Sequence, residues 1–158
     1  MMFERAKRFT VTKGHGRSSV SRLNAFDKAM IDASIGELNI IEVSSVLPEG
    51  IVKTDEIDCE RGDFVPAVMS KAIGTDGELV AGLAWGFRED DKGGYVMEGS
   101  NKGEDIDIKI FEVELKRKLS RMGEARDCEL IDIGVVSEKM SVEEDEFGCV
   151  LSGLVYQS

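Results

Sequence analysis

The sequence predicts an α+β protein, a sandwich of mostly antiparallel strands with about two helices. Three observations predict it. Apolar residues come in short runs bounded by Gly, Asn, Asp and Pro, as in strands separated by turns. Only two segments carry apolar positions at the 3–4 spacing of an amphipathic helix. Finally, no linker of biased composition and no internal repeat divides the 158 residues, so residues 1–158 are expected to form one domain with its own core.

Residues 7–12, "KRFTVT", predict the first strand, and Lys13–Ser21, "KGHGRSSVS", a Gly/Ser-rich loop. The loop lacks the GK[ST] ending of a phosphate loop and the spacing of GxGxxG, so turn chemistry explains its glycines. His15, the only histidine, lies between two of them and is read either as a solvated loop residue or as a functional one. "RLNAFDKAMIDASIG" predicts a short helix burying Leu23, Phe26, Met30 and Ile31, with Gly36 past its end and Asp27 at the margin of the buried face. "LNIIEVSSVLP" predicts a strand that ends at Pro48 and carries two adjacent serines, Ser44 and Ser45, in its middle. A polar stretch follows. Phe64–Gly74 and Glu78–Glu89 then flank a "TDG" turn and predict a hairpin. "GGYVMEGSN" predicts a strand ending near Glu98. Residues 104–122 predict the long helix, with Ile108, Phe111, Leu115, Leu119 and Met122 on one face, acidic residues leading and basic residues trailing. "CELIDIGVVSEKMSV" and "FGCVLSGLVYQS" predict two closing strands.

Composition narrows the function. A net charge of −11 opposes nucleic-acid binding, because nothing would offset the repulsion of phosphates. No apolar run is long enough to span a bilayer, and "MMFERAKRFTV" lacks the apolar segment of a secretory signal, so a cytoplasmic protein without membrane contact is expected. Cys59, Cys128 and Cys149 are far apart and form no CxxC or Cys/His cluster, which predicts buried or half-buried thiols rather than disulfides or a metal site. One histidine and no nucleophile elbow leave no serine hydrolase. The 31 Asp and Glu residues are too many for any pair to stand out; runs such as 89–91 and 143–146 predict turns or solvated faces.

The local pattern says more. Residues 23–50, "LNAFDKAMIDASIGELNIIEVSSVLPEG", closely resemble the processing region of pyruvoyl-dependent arginine decarboxylases: an LNAFD helix, a Gly-x-x-Asn turn, and a Ser-Ser pair followed by a hydrophobic pair and proline. "GYVMEGSNKG", with Glu98, matches a further stretch of the family about fifty residues later. Glu37 stands where the family commonly has a second asparagine and Glu49 where it has a second proline; neither position carries a reacting atom.

The resemblance implies a reason for the paired serines. The bond between Ser44 and Ser45 would be broken by the chain itself, giving a small chain of residues 1–44 and a larger one of 45–158. The Ser45 hydroxyl would attack the Ser44 carbonyl, turning the amide into an ester; elimination, tautomerisation and hydrolysis would leave a pyruvoyl group at residue 45 and release ammonia. Asn39 matches the asparagine implicated in this processing, although a turn-capping role explains an Asn there equally well. The covalent pyruvoyl group derived from Ser45 would be the cofactor for decarboxylating a small amino-acid substrate, arginine, to agmatine and CO₂, a step feeding polyamine synthesis. Glu98 matches the catalytic acid; beside Val96 and Met97, an apolar setting would keep it protonated. Asp27 matches the aspartate that binds the guanidinium, for which a carboxylate is the bidentate partner, and the new Ser44 carboxylate would line the same pocket. The fold implied is a four-layer αββα sandwich, assembled as a homotrimer with active sites between protomers. Two other readings stay open: a pyruvoyl-dependent decarboxylase of another amino acid, and a non-processing, non-catalytic trimeric paralogue.

Overall fold

The computed structural model describes residues 4–158. In chain order its elements are β1 (Arg8–Ser18), α1 (Arg22–Asp32), β2 (Asn39–Glu42), β3 (Val46–Leu47), β4 (Val52–Lys53), β5 (Phe64–Gly74), β6 (Gly77–Arg88), β7 (Gly94–Gly103), α2 (Ile108–Glu124), β8 (Leu130–Val142) and β9 (Phe147–Gln157). The strands make two sheets, a five-stranded one in the order β2-β5-β9-β1-β4 and a four-stranded one in the order β3-β7-β6-β8. Pairing is antiparallel except for β1 with β4 and β2 with β5. The α+β class predicted by the strand and helix patterns is therefore the one observed.

Alternation along the strands builds the core. On β9, Cys149, Leu151 and Val155 face α1 and pack with Ala25, Ala29, Met30 and Ala33. Leu154 and Tyr156, on the opposite face of the same strand, meet Leu83, Trp85 and Val96 of the four-stranded sheet, with Phe9 and Val68 beside them. The far face of that sheet packs Ala84 and Tyr95 against Leu115 and Leu119 of α2. β6 and β9 are covered on both faces, which explains their almost unbroken apolar sequences. Two buried serines tie sheet to sheet: Ser152 Oγ donates to the Ala81 carbonyl at 2.9 Å and Ser70 Oγ to the Gly99 carbonyl at 2.5 Å.

Several expectations need correction. First, the segment from Lys13 to Ser18 is not a loop but the second half of β1, paired with β9 as far as Phe147. Its glycines sit at the buried positions and Lys13, His15 and Arg17 at the exposed ones, a strand period hidden because glycine reads as a turn. They are required by α1: a Cβ on Gly16 would stand 2.6 Å from the Ala29 nitrogen, against helix backbone that cannot yield. A Gly16→Ala variant is accordingly expected to lose about 1–3 kcal/mol, read as a lower urea midpoint with an unchanged m-value.

Second, α1 buries Ala25, Ala29 and Met30, while Leu23 (74% exposed) and Ile31 (60%) point outward. The large apolar residues misled because the face pressed on the Gly14–Gly16 strand must be made of small ones. Third, β5 and β6 do not pair. They lie in different sheets, and the turn between them carries the chain across, with Asp76 at φ 52°. Fourth, the strand drawn through the serine pair is broken there. The long helix begins at Ile108 rather than 104 because Asp107 caps it, its side chain accepting from the Lys109 and Ile110 nitrogens. Cys149 is buried and Cys59 and Cys128 half-buried, all three as free thiols.

Candidate functional site

The break in the predicted strand is where the chain changes sheets. β2 runs parallel to β5 at the edge of the five-stranded sheet, and β3 pairs with β7 at the edge of the other. Residues 43–45, between them, carry the backbone across the gap. Hydrogen bonds hold it on both sides. Upstream, the Val43 nitrogen donates to the Ala67 carbonyl at 3.0 Å; downstream, the Ser45 carbonyl accepts from the Val96 nitrogen at 2.9 Å. Tyr156 Oη then donates to the Val46 carbonyl at 2.8 Å, and the Leu47 side chain is fully buried. The Ser44–Ser45 peptide bond is thus the span between two fixed points, one on each sheet, with Ser44 exposed and Ser45 half-buried.

Glu98 lies two residues along β7 from the strand nitrogen that holds Ser45, so it shares a face with Val96, the face turned toward the five-stranded sheet. There it borders a cavity of about 250 Å³ together with Glu42, Ser70, Lys71 and Ser100. Glu98 is exposed rather than enclosed in the apolar setting expected from Val96 and Met97; the partial desolvation it does have, and the negative charge of Glu42, raise its carboxyl above the ordinary value. Lys71 Nζ stands 3.6 Å from Glu42 Oε1 and 4.8 Å from the centre of the Phe26 ring. A second depression, of about 600 Å³, shares Glu42, Met69 and Lys71 with the first and extends past Phe26 and Ile41 toward Phe64 and Asn39. The two make one groove along the edge of β2, polar and acidic at the Glu98 end and apolar at the α1 end.

Ser45 is therefore hydrogen-bonded to β7 two residues from Glu98, while neither Ser44 nor Ser45 is among the residues that border the two cavities. Asn39 opens β2: its Nδ2 donates to the Gly62 carbonyl at 3.0 Å and its backbone nitrogen to the Asp63 carbonyl at 2.8 Å. In the continuous chain it fastens the start of β2 to the turn before β5. Asp27 is exposed on α1, one residue from Phe26, and borders neither cavity. Sequence reasoning missed Glu42, Ser70, Lys71 and Tyr156. Lys71 left a readable sign, as the only charged residue in the otherwise apolar run of β5. The others left none, since their places depend on which sheet each strand joins.

A serine pair strung between two sheets, beside a carboxyl held toward its neutral form, is what an enzyme that makes its electrophile from its own backbone requires. The family model described as "Pyruvoyl-dependent arginine decarboxylase (PvlArgDC)" matches residues 8–158. The chain belongs to the pyruvoyl-dependent arginine decarboxylase family. A protein of Methanopyrus kandleri bearing that name is 29% identical over 150 residues, 95% of this chain and 96% of its own. Proteins of the same name from Methanothermobacter thermautotrophicus and Pyrococcus horikoshii are 29% and 28% identical, each over 86% of this chain and 87% of theirs.

Proposed function

We propose that this protein cleaves itself between Ser44 and Ser45 and then decarboxylates L-arginine to agmatine and CO₂ with the pyruvoyl group made from Ser45. The observation that carries the reading is the anchored crossing at the serine pair, two residues along β7 from Glu98. Ser45 has what the cofactor needs: a hydroxyl on Cβ, two carbons from the backbone nitrogen, following a carbonyl it can attack.

The processing steps balance. Ser45 Oγ bonds to the Ser44 carbonyl carbon as that carbon's bond to the Ser45 nitrogen breaks, giving an ester. Loss of the Ser45 Cα proton expels the Ser44 carboxylate and leaves a Cα=Cβ double bond at residue 45. One water then replaces the nitrogen, which departs as ammonia. The anchors at Val43, Ser45 and Val46 keep the two serines aligned through the first step, so little motion is needed to reach the attacking geometry. Asn39 contributes by fixing the start of β2 through Gly62.

When present, the pyruvoyl group supplies a carbonyl that bonds the substrate amine and accepts the electrons released with CO₂. The chain does the rest. Glu98, whose pKa is raised by partial desolvation and by the charge of Glu42, delivers its proton to the substrate α carbon. Asp27 binds the guanidinium. It lies outside the Glu98 cavity of its own chain, which suits a homotrimer with active sites between protomers, where it serves a neighbour. Val20, Leu23 and Phe64, each more than 70% exposed, are apolar surface that such an assembly would cover. The packing of α1, the five-stranded sheet, the four-stranded sheet and α2 in succession supports a four-layer αββα sandwich as the family architecture. No helix among the described residues is long and apolar enough to cross a membrane; we place the enzyme in the cytoplasm, supplying polyamine synthesis.

Intact mass spectrometry of the denatured protein, paired with CO₂ release from carboxyl-labelled arginine, lysine and histidine, tests the reading. Two chains split after Ser44, the larger one lighter by one ammonia than simple hydrolysis would give, with arginine as the preferred substrate, would support it. A stable single chain would overturn it in favour of the non-catalytic paralogue. Cleavage with lysine or histidine preferred would move the substrate and keep the class. Asp27→Asn is expected to raise KM for arginine by about tenfold or more with little change in kcat, because a charged bidentate pair loses most of its strength when one partner becomes neutral. An unchanged KM would remove Asp27 from the guanidinium site.

A further inference from the structure

His15 takes no part in the chemistry above. It projects from the exposed face of β1, and its Nδ1 stands 3.4 Å from Asp32 Oδ2 at the end of α1 and 3.5 Å from Glu138 Oε2 on β8. One ligand atom of each residue lies within 4.8 Å of the other two, and among the described residues no other group of His, Cys, Asp and Glu meets in this way. His15 and Asp32 come from the consecutive elements β1 and α1, and Glu138 from β8, far along the chain.

The distances distinguish pairing from coordination. A charge-assisted N–H···O bond spans about 2.7–2.9 Å, and a neutral one reaches about 3.2 Å; both contacts here are longer. A single Nδ1 also carries at most one hydrogen and cannot direct it at two carboxylates at once. Ligand bonds of about 2.0–2.2 Å at tetrahedral angles set neighbouring donor atoms about 3.3–3.5 Å apart, which is the spacing of His15 Nδ1 from each carboxylate; the two carboxylates lie within 4.8 Å of each other. Both carboxylates are also held in place by backbone: Asp32 Oδ2 accepts from the His15 nitrogen at 2.9 Å, and Glu138 Oε1 accepts from the Lys139 nitrogen at 3.3 Å, leaving Oε2 toward His15. With His15 and Asp32 about half exposed, a fourth position opens to water.

We propose that His15, Asp32 and Glu138 form a binding site for a divalent cation of the zinc class, completed by water. One imidazole and two carboxylates, without a thiolate, favour zinc over magnesium or calcium, which take oxygen donors alone. The bound ion clamps α1 and β1 of one sheet to β8 of the other, on a part of the surface whose residues border neither cavity of the decarboxylase groove.

The test is calorimetric titration of zinc chloride into chelator-stripped protein, with thermal unfolding read on the same samples and cobalt(II) as a spectroscopic substitute. One zinc per chain, a Tm that rises with zinc, and visible bands of tetrahedral cobalt are expected. His15→Ala and Glu138→Gln should each weaken zinc by about tenfold or more and remove those bands. No stoichiometric uptake by the wild-type chain would overturn the site, as would binding unchanged in the variants, which would place the zinc on other residues. Should His15→Ala fail to fold, the near-isosteric Glu138→Gln decides alone. CO₂ release measured separately keeps this result apart from the decarboxylase reading: inactive protein that still binds zinc through His15 supports the site and not the enzyme.

Discussion

Ser45→Ala is expected to leave one full-length chain that stays uncut on long incubation and releases no CO₂ from arginine. Alanine lacks the only atom that can open the Ser44–Ser45 bond from within, so neither cut nor electrophile can arise. The fold should survive. Ser45 is half-buried, and what anchors it is its backbone carbonyl on the Val96 nitrogen, which alanine keeps; stability should move by no more than about 0.5 kcal/mol. Intact mass and circular dichroism on one sample read both expectations. Ser45→Thr refines the test, since its hydroxyl can attack but elimination leaves an extra CH₂, so any new end group should be heavier by that amount and not be pyruvoyl. A Ser45→Ala protein that still splits after Ser44 would mean that another nucleophile does the work and would remove the proposed route.

Glu98→Gln is expected to separate the two reactions. Cleavage should go to completion, because the carboxyl proton is needed only after CO₂ departs, while kcat should fall by about 10²–10⁴-fold with KM for arginine changed far less. Loss of both reactions together would make Glu98 a processing residue instead. The pH profile carries the sign. In the proposed role Glu98 is an acid, for which activity is present below its pKa and falls as pH rises through it. Burial and the charge of Glu42 both raise that pKa and extend the active range upward. Glu42→Gln removes the second cause, so the alkaline limb of kcat should shift to lower pH. A limb that does not move, or moves up, would show that the two carboxylates do not interact across the cavity.

The elements that sequence reasoning found are those whose evidence is local. Leu115 and Leu119 repeat at helical spacing and β8 and β9 at strand length, and each forms as read. What it misplaced depends on contacts made at a distance. Gly14 and Gly16 look like turn residues until α1 is seen lying against them. The β5–β6 pair looks like a hairpin because a tight turn carries no sign of whether the chain returns to the same sheet or passes to the other. The serine pair reads as part of one strand for the same reason: Ile40–Glu42 and Val46–Leu47 both suit strands, and only tertiary structure separates them. The site shows the same division. Ser44, Ser45, Asn39, Asp27 and Glu98 were named through motif resemblance, while Glu42 and Lys71, which shape the groove around Glu98, come from strands that only the assembled sheet brings together.

The placement of β1 gives the proposed cut a consequence for the life of the molecule. Residues 1–44 hold β1, α1 and β2, and β1 lies inside the five-stranded sheet, bonded to β9 along eleven residues on one side and to β4 on the other. A break after Ser44 therefore frees no fragment; the two pieces stay interleaved by the ladder that formed when they were one. Once unfolded, they no longer share a covalent tether, and a strand that first found its central slot by an intramolecular search would have to return by a collision between separate molecules. Maturation would be a one-way step: the finished protein is made once, from a precursor it has consumed, and its persistence rests on how slowly it comes apart rather than on how readily it can be put back together.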